Sequence, residues 1–126
     1  MRPRTLAEVA ELTMRGESFD YCLASFLDEF YAAPGLEALA ETPGLLASHL
    51  GELGRVQDAY LAASAAELSR AQRFTAPIWV DDEARKLHRP WFASSLASLR
   101  AVLLLESPPA FRARNLFVSA NALTRV

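Results

Sequence analysis

Apolar residues in this chain recur at helical spacing and almost nowhere alternate, which restricts it to helices packed on helices. The clearest case is the stripe Phe19, Cys22, Leu23, Phe26, Leu27 and Phe30, with Asp20, Asp28 and Glu29 turned towards water and Tyr31 closing the aromatic cluster. Ser18 can cap this helix, Asp20 falls in its first turn where the helix dipole favours an anion, and Pro34-Gly35 breaks the chain after it. Upstream, Thr5 with Glu8 has the spacing of a capping box, Leu6, Val9, Ala10 and Thr13 share one face, and Gly16 suits the stop.

Prolines and glycines punctuate residues 34–54, where two short helices at 36–41 and 45–50, or an ordered loop laid over the core, are expected. Residues 55–73 form the longest uninterrupted helical pattern, and Ala59, Ala62, Ala63, Ala65 and Ala66 allow another helix to approach closely. Residues 75–80 read as extended around Pro77, and Asp81 suits the N-cap of a short helix running to about His88. After Pro90, a helix starting at Trp91 or Ser94 carries Leu96, Leu99, Val102 and Leu103 on one face, and Leu104 and Leu105 widen that face until it must be central in the core or buried by a second chain. Ser107-Pro108-Pro109 ends it, Pro109 opens a small helix to about Arg114, and an apolar tail follows. The predicted fold is all-α: a single helical domain over residues 1–126, with five to seven helices, an extended apolar C-terminal tail, and Phe26, Phe30, Tyr60, Leu96, Leu99 and Leu103 in the core.

The 126 residues fit one domain with a working core, and one cysteine, Cys22, excludes an intrachain disulfide framework. No secretory signal pattern opens the sequence, and the longest apolar run, residues 101–105, is far too short to span a bilayer, so a cytoplasmic protein without a membrane segment is expected. The net charge of −2 argues against a general nucleic-acid binder. That charge is unevenly spread: residues 1–69 carry 11 acidic and 4 basic side chains, residues 70–126 carry 4 acidic and 9 basic. The two halves can attract each other or steer a partner.

Chemistry is hard to find in the sequence. His88 stands among Arg85, Lys86 and Arg89, His49 is isolated, and Cys22 lies on an apolar helix face where thiols are inert. Two histidines and a cysteine lie far apart without metal-ligand spacing, and capping explains Asp81, Asp82 and Glu83. No phosphate-binding glycine loop or G-x-S-x-G elbow occurs. No catalytic residue, metal ligand or cofactor is therefore assigned. The candidate site is instead a partner-binding surface of Trp91, Phe111, Arg112, Arg114, Asn115, Leu116 and Phe117, in which arginines flank apolar anchors as at interface hot spots. Those arginines can also pair with the acidic first half of their own chain, which is the favoured pairing of the two. The competing readings are a small enzyme or ligand-binding domain with a pocket near Trp79, His88 and Trp91, and a DNA-contacting regulator using Arg70, Arg73, Arg85, Lys86 and Arg89.

The run Pro90-Trp91-Phe92, then Leu99-Arg100, Leu103-Leu104, Ser107-Pro108, Phe111-Arg112 and Arg114-Asn115-Leu116-Phe117-Val118 resembles a family of small uncharacterised proteins of GC-rich bacteria, most sharply over residues 90–126. Members of that family are encoded beside proteins of the nucleotidyltransferase fold. The resemblance implies a non-enzymatic accessory protein, antitoxin-like, whose partner is another protein chain, either a second copy or the co-encoded protein. It carries over no catalytic residue.

Overall fold

The computed structural model describes residues 2–125. Its first helix, α1 (Leu6–Met14), opens with the complete capping box: Glu8 N–H donates to Thr5 Oγ1 at 3.0 Å, and Thr5 N–H donates to the Glu8 carboxylate at 3.2 Å. Gly16, at φ 101°, ends it in a conformation that an L side chain rarely adopts. Helix α2 (Phe19–Ala32) starts where Ser18 Oγ accepts from Tyr21 N–H, and all six residues of its apolar stripe are buried. It packs on α1, and Phe26 stacks on Phe30 with ring centroids 5.8 Å apart.

The punctuated stretch is both short helix and tethered loop. It contains α3 (Glu37–Ala40), whose Leu39 is fully buried, and the first turn of α4 (Ala47–Gln72), residues 47–50. Gly51 (φ 61°, ψ −133°) breaks the helical path, so this turn joins the long helix at a bend. Three buried polar groups fasten the stretch. Leu46 and Ala47 N–H donate to the Asp58 carboxylate at 2.7 and 3.1 Å, Trp79 Nε1 donates to the Leu39 carbonyl at 2.9 Å, and the Arg85 guanidinium donates to the carbonyls of Pro43 and Asp58 while lying 4.8 Å from the Trp79 ring centre. Gly54 completes the closure, because a Cβ there would run into the Leu46 carbonyl.

Past Gly51, α4 is the axis of the molecule. Ala59, Leu61, Ala62, Ala63 and Ala65 are fully buried on it, and α1, residues 78–85 and the C-terminal elements around Phe111 and Leu116 pack around it. It ends at Arg73 (φ 59°). The stretch expected to be extended contains a 3₁₀ turn, Ile78–Asp81, and Asp82, not Asp81, caps the next one, Glu83–Arg85, by accepting from Ala84 N–H at 3.0 Å.

The C-terminal third departs most from expectation. Trp91 does not begin a helix. Trp91–Phe92 forms β1, paired in parallel with β2 (Leu116–Phe117); Trp91 N–H donates to the Asn115 carbonyl at 2.8 Å and Ala93 N–H to that of Phe117 at 3.0 Å. Aromatic residues suit an extended backbone, and the following Ser94-Ser95 pair does little to favour a helix. Only a 3₁₀ turn, Ala97–Leu99, and the seven-residue α5 (Arg100–Glu106) remain of the expected helix. It is not central: Leu103 is buried, while Leu96 and Leu99, expected in the core, are 59% and 41% exposed. Tyr60, also expected there, is half-buried. Helix α6 (Pro109–Arg112) then carries Phe111 onto α4, and the tail docks on the molecule's own core. The fold is all-α, with 60% helix and, among the described residues, two two-residue strands.

Candidate functional site

The seven residues expected to meet a partner fall into two groups. Phe111, Arg114, Leu116 and Phe117 are buried inside their own chain, Trp91 and Asn115 are half-buried, and Arg112 is exposed. Phe111 meets Tyr60 edge to face at 5.0 Å, and Phe117 stacks on Phe92 at 5.2 Å. Arg114 donates to the carbonyls of Ala110 and Val80, both at 2.7 Å, and its guanidinium lies 3.8 Å from Asp81; burial pulls its pKa down and Asp81 partly offsets this. Asn115, at φ 62°, donates from Nδ2 to the Leu87 carbonyl at 2.8 Å. These side chains staple residues 80–91 to the tail. Composition cannot separate such a role from a hot spot, because both use aromatic anchors ringed by guanidinium donors.

The surface left without cover lies just before them. Helix α5, continuing the 3₁₀ turn, leans on β2, with Leu103 buried and the Arg100 guanidinium 5.2 Å from the Phe92 ring centre. Leu96, Leu99, Val102, Leu104 and Leu105 face water, Leu105 at 82% exposure. Isolated exposed leucines are ordinary on a protein surface, but here four leucines and a valine are exposed within ten residues.

Two open clefts flank Trp91. The larger, about 780 Å³, runs between α2, the middle of α4 and residues 118–125, and most of its lining is apolar, Phe19, Leu23, Val56, Tyr60 and Val118 among it. Burial, with Asp20 adding to it, pushes the Tyr60 phenol up to about 12, so it stays neutral. The second cleft, about 690 Å³, is lined by Glu52, Arg55, Val56, Leu87, His88, Arg89, Pro90 and Trp91. His88 and Trp91 thus come together as expected, but Trp79 is buried under α3 and takes no part. Arg55 enters from α4, a contact that spacing along the sequence could not reveal.

The remaining candidates are dispersed. Cys22 is buried, and burial, with Glu17 second, raises its thiol pKa, which keeps it protonated and unreactive. His49 is exposed. Of the cations considered for DNA contact, Arg85 is buried, Arg70 pairs with Glu67 at 2.8 Å and Lys86 with Glu83 at 3.3 Å, so they do not form one free face. Among the described residues no three His, Cys, Asp or Glu side chains gather as for a metal ion, and no helix is long and apolar enough to cross a membrane. Comparison with protein-family models, with curated proteins and with solved structures gave no match.

Proposed function

We propose that this chain is a non-enzymatic accessory module of the cytoplasm that binds another protein, and that the exposed apolar face of residues 96–105 is its docking element. The observation that carries this reading is that face itself: five large aliphatic side chains stand 41–82% exposed on an element anchored by Leu103. Patches of this kind, rimmed by polar groups, mark interaction sites. Arg100 and Glu106 supply the rim here. The docking element is displaced from the tail, where composition first suggested it, to the segment that the tail and β1 hold in place. This chain is then the antitoxin-like member of a pair, and the partner we assign is the one that the resemblance of residues 90–126 implies, a co-encoded protein of the nucleotidyltransferase fold.

The test is co-expression of the full-length chain with the product of the adjacent gene, followed by affinity capture and light scattering. A stoichiometric complex that Leu99→Asp with Leu105→Asp disrupts, while the melting temperature of the isolated chain stays unchanged, supports the reading. A complex indifferent to those substitutions removes the docking element. Self-association of the isolated chain through the same face would replace the co-encoded partner by a second copy.

A further inference from the structure

The two clefts beside Trp91 adjoin. They share a wall, Val56 and Trp91, and differ in character on its two sides. On one side is the long, mainly apolar groove between α2, α4 and the C-terminal segment. On the other, two guanidinium groups and an imidazole, Arg55, Arg89 and His88, face a single carboxylate, Glu52. Among the described residues neither Arg55 nor Arg89 has a carboxylate within ion-pair distance. The groove's own charges cannot serve an anion. Asp20 would repel it, and Arg125 is already held by Asp28, donating to its two carboxylate oxygens at 2.9 and 3.3 Å. An anionic group is therefore directed over the Val56–Trp91 wall into the second cleft, while an apolar body stays in the first. Each cleft lies within the range of about 300–1,000 Å³ typical of small-molecule sites, which are apolar with a few placed polar groups.

We propose that this site binds a single-chain amphipathic anion: an alkyl or acyl body lying along the accessible part of the groove at Leu53, Val56 and Tyr60, with a carboxylate or phosphate head held by Arg55 and Arg89 beside His88. Guanidinium forks suit both head groups. The site is on a different part of the surface from the face of residues 96–105 and does not depend on a protein partner.

The test uses the full-length chain with four probes: decanoate, decyl phosphate, decanol and acetate. Binding is followed by calorimetry and by the fluorescence of Trp91, with Trp91→Phe identifying its share of the signal. Saturable one-to-one binding of decanoate or decyl phosphate is expected, at least tenfold tighter than decanol, with no binding of acetate at the same concentrations. The tighter of the two anions identifies the head group. Arg55→Gln with Arg89→Gln should weaken the anion at least tenfold and leave decanol unchanged. Both arginines lie at the surface without an ion pair, and an unaltered melt confirms that the variant folds. Leu53→Glu, on the apolar side, should weaken both anions and decanol at least tenfold with an unaltered melt, since Leu53 is 61% exposed; unchanged binding in that variant also overturns the proposal. The proposal is overturned if decanol binds as tightly as decanoate, if the double arginine variant binds the anions as the parent does, or if neither anion binds saturably.

Discussion

Replacing Phe111 by alanine tests whether the tail belongs to the core of the isolated chain. Phe111 is fully buried, at the end of a four-residue helix that packs on α4, and its ring meets Tyr60 edge to face. Removing a fully buried phenylalanine costs about 3–5 kcal/mol, the transfer term plus the cavity left behind. Lost edge-to-face geometry accounts for about 0.5–1.5 kcal/mol of such effects beyond area. The neighbouring side chains come from a long helix, and α4 has little freedom to collapse into the void, so the upper part of the range applies. A domain of this size loses roughly 4 °C of melting temperature per kcal/mol, so Phe111→Ala, at about 4–5 kcal/mol, is expected to melt about 16–20 °C below the parent. The control is Leu105→Ala, 82% exposed, whose effect should stay within about 0.5 kcal/mol. Thermal and urea unfolding of the purified chain, without any partner, give both values. If Phe111→Ala melts within about 2 °C of the parent, the tail is not docked as described and the burial argument fails.

Gly54→Ala should destabilise the chain by about 1–3 kcal/mol, an overpacking cost, because its Cβ would collide with the Leu46 carbonyl; urea titration reads it, and a neutral result would show that residues 46–54 are free to shift. Arg85→Lys should also destabilise the chain in the same titration, since an ammonium cannot both reach the Pro43 and Asp58 carbonyls and lie flat on Trp79; an unchanged midpoint would remove Arg85 as the fastener of that loop. Burial holds the Asp58 carboxyl above its ordinary range, against the opposing pull of the Leu46 and Ala47 amides. The folded chain thus binds this proton more tightly than the unfolded chain, and the group's contribution to stability falls as pH rises through that window and recovers as pH falls. The difference in melting temperature between the parent and Asp58→Asn should move in the parent's favour as the pH falls through the acid range, and a shift the other way would reverse the assignment.

What the sequence disclosed was local. Caps and stripes placed α1 and α2 because the Thr5–Glu8 and Ser18 bonds and the 3.6-residue spacing act within one helix. The C-terminal third was misread because its structure is decided at a distance. Trp91 and Phe92 read as the start of a helix until Leu116 and Phe117 offer them a strand partner some 25 residues away, and the helix they would have begun shrinks to α5. An over-apolar helix has two meanings, interior or uncovered surface, and periodicity alone cannot tell Leu103 from Leu105. Asp58 gave no signal because its role, closing the 46–47 turn from twelve residues on, exists only once α4 is bent at Gly51. The Arg55, His88 and Arg89 cleft was half legible: the histidine and its neighbour are adjacent in sequence, and the third member comes from another element.

The most direct measurement is hydrogen exchange across residues 96–105 of the full-length chain, alone and after addition of the adjacent gene's product, with the mass of each sample from light scattering. Burial of the Leu96, Leu99, Val102, Leu104 and Leu105 face by a partner should add protection there, accompany a step to the mass of a stoichiometric complex, and disappear in Leu99→Asp with Leu105→Asp. Unchanged exchange in this segment, with the chain monomeric in both samples, would contradict the docking role.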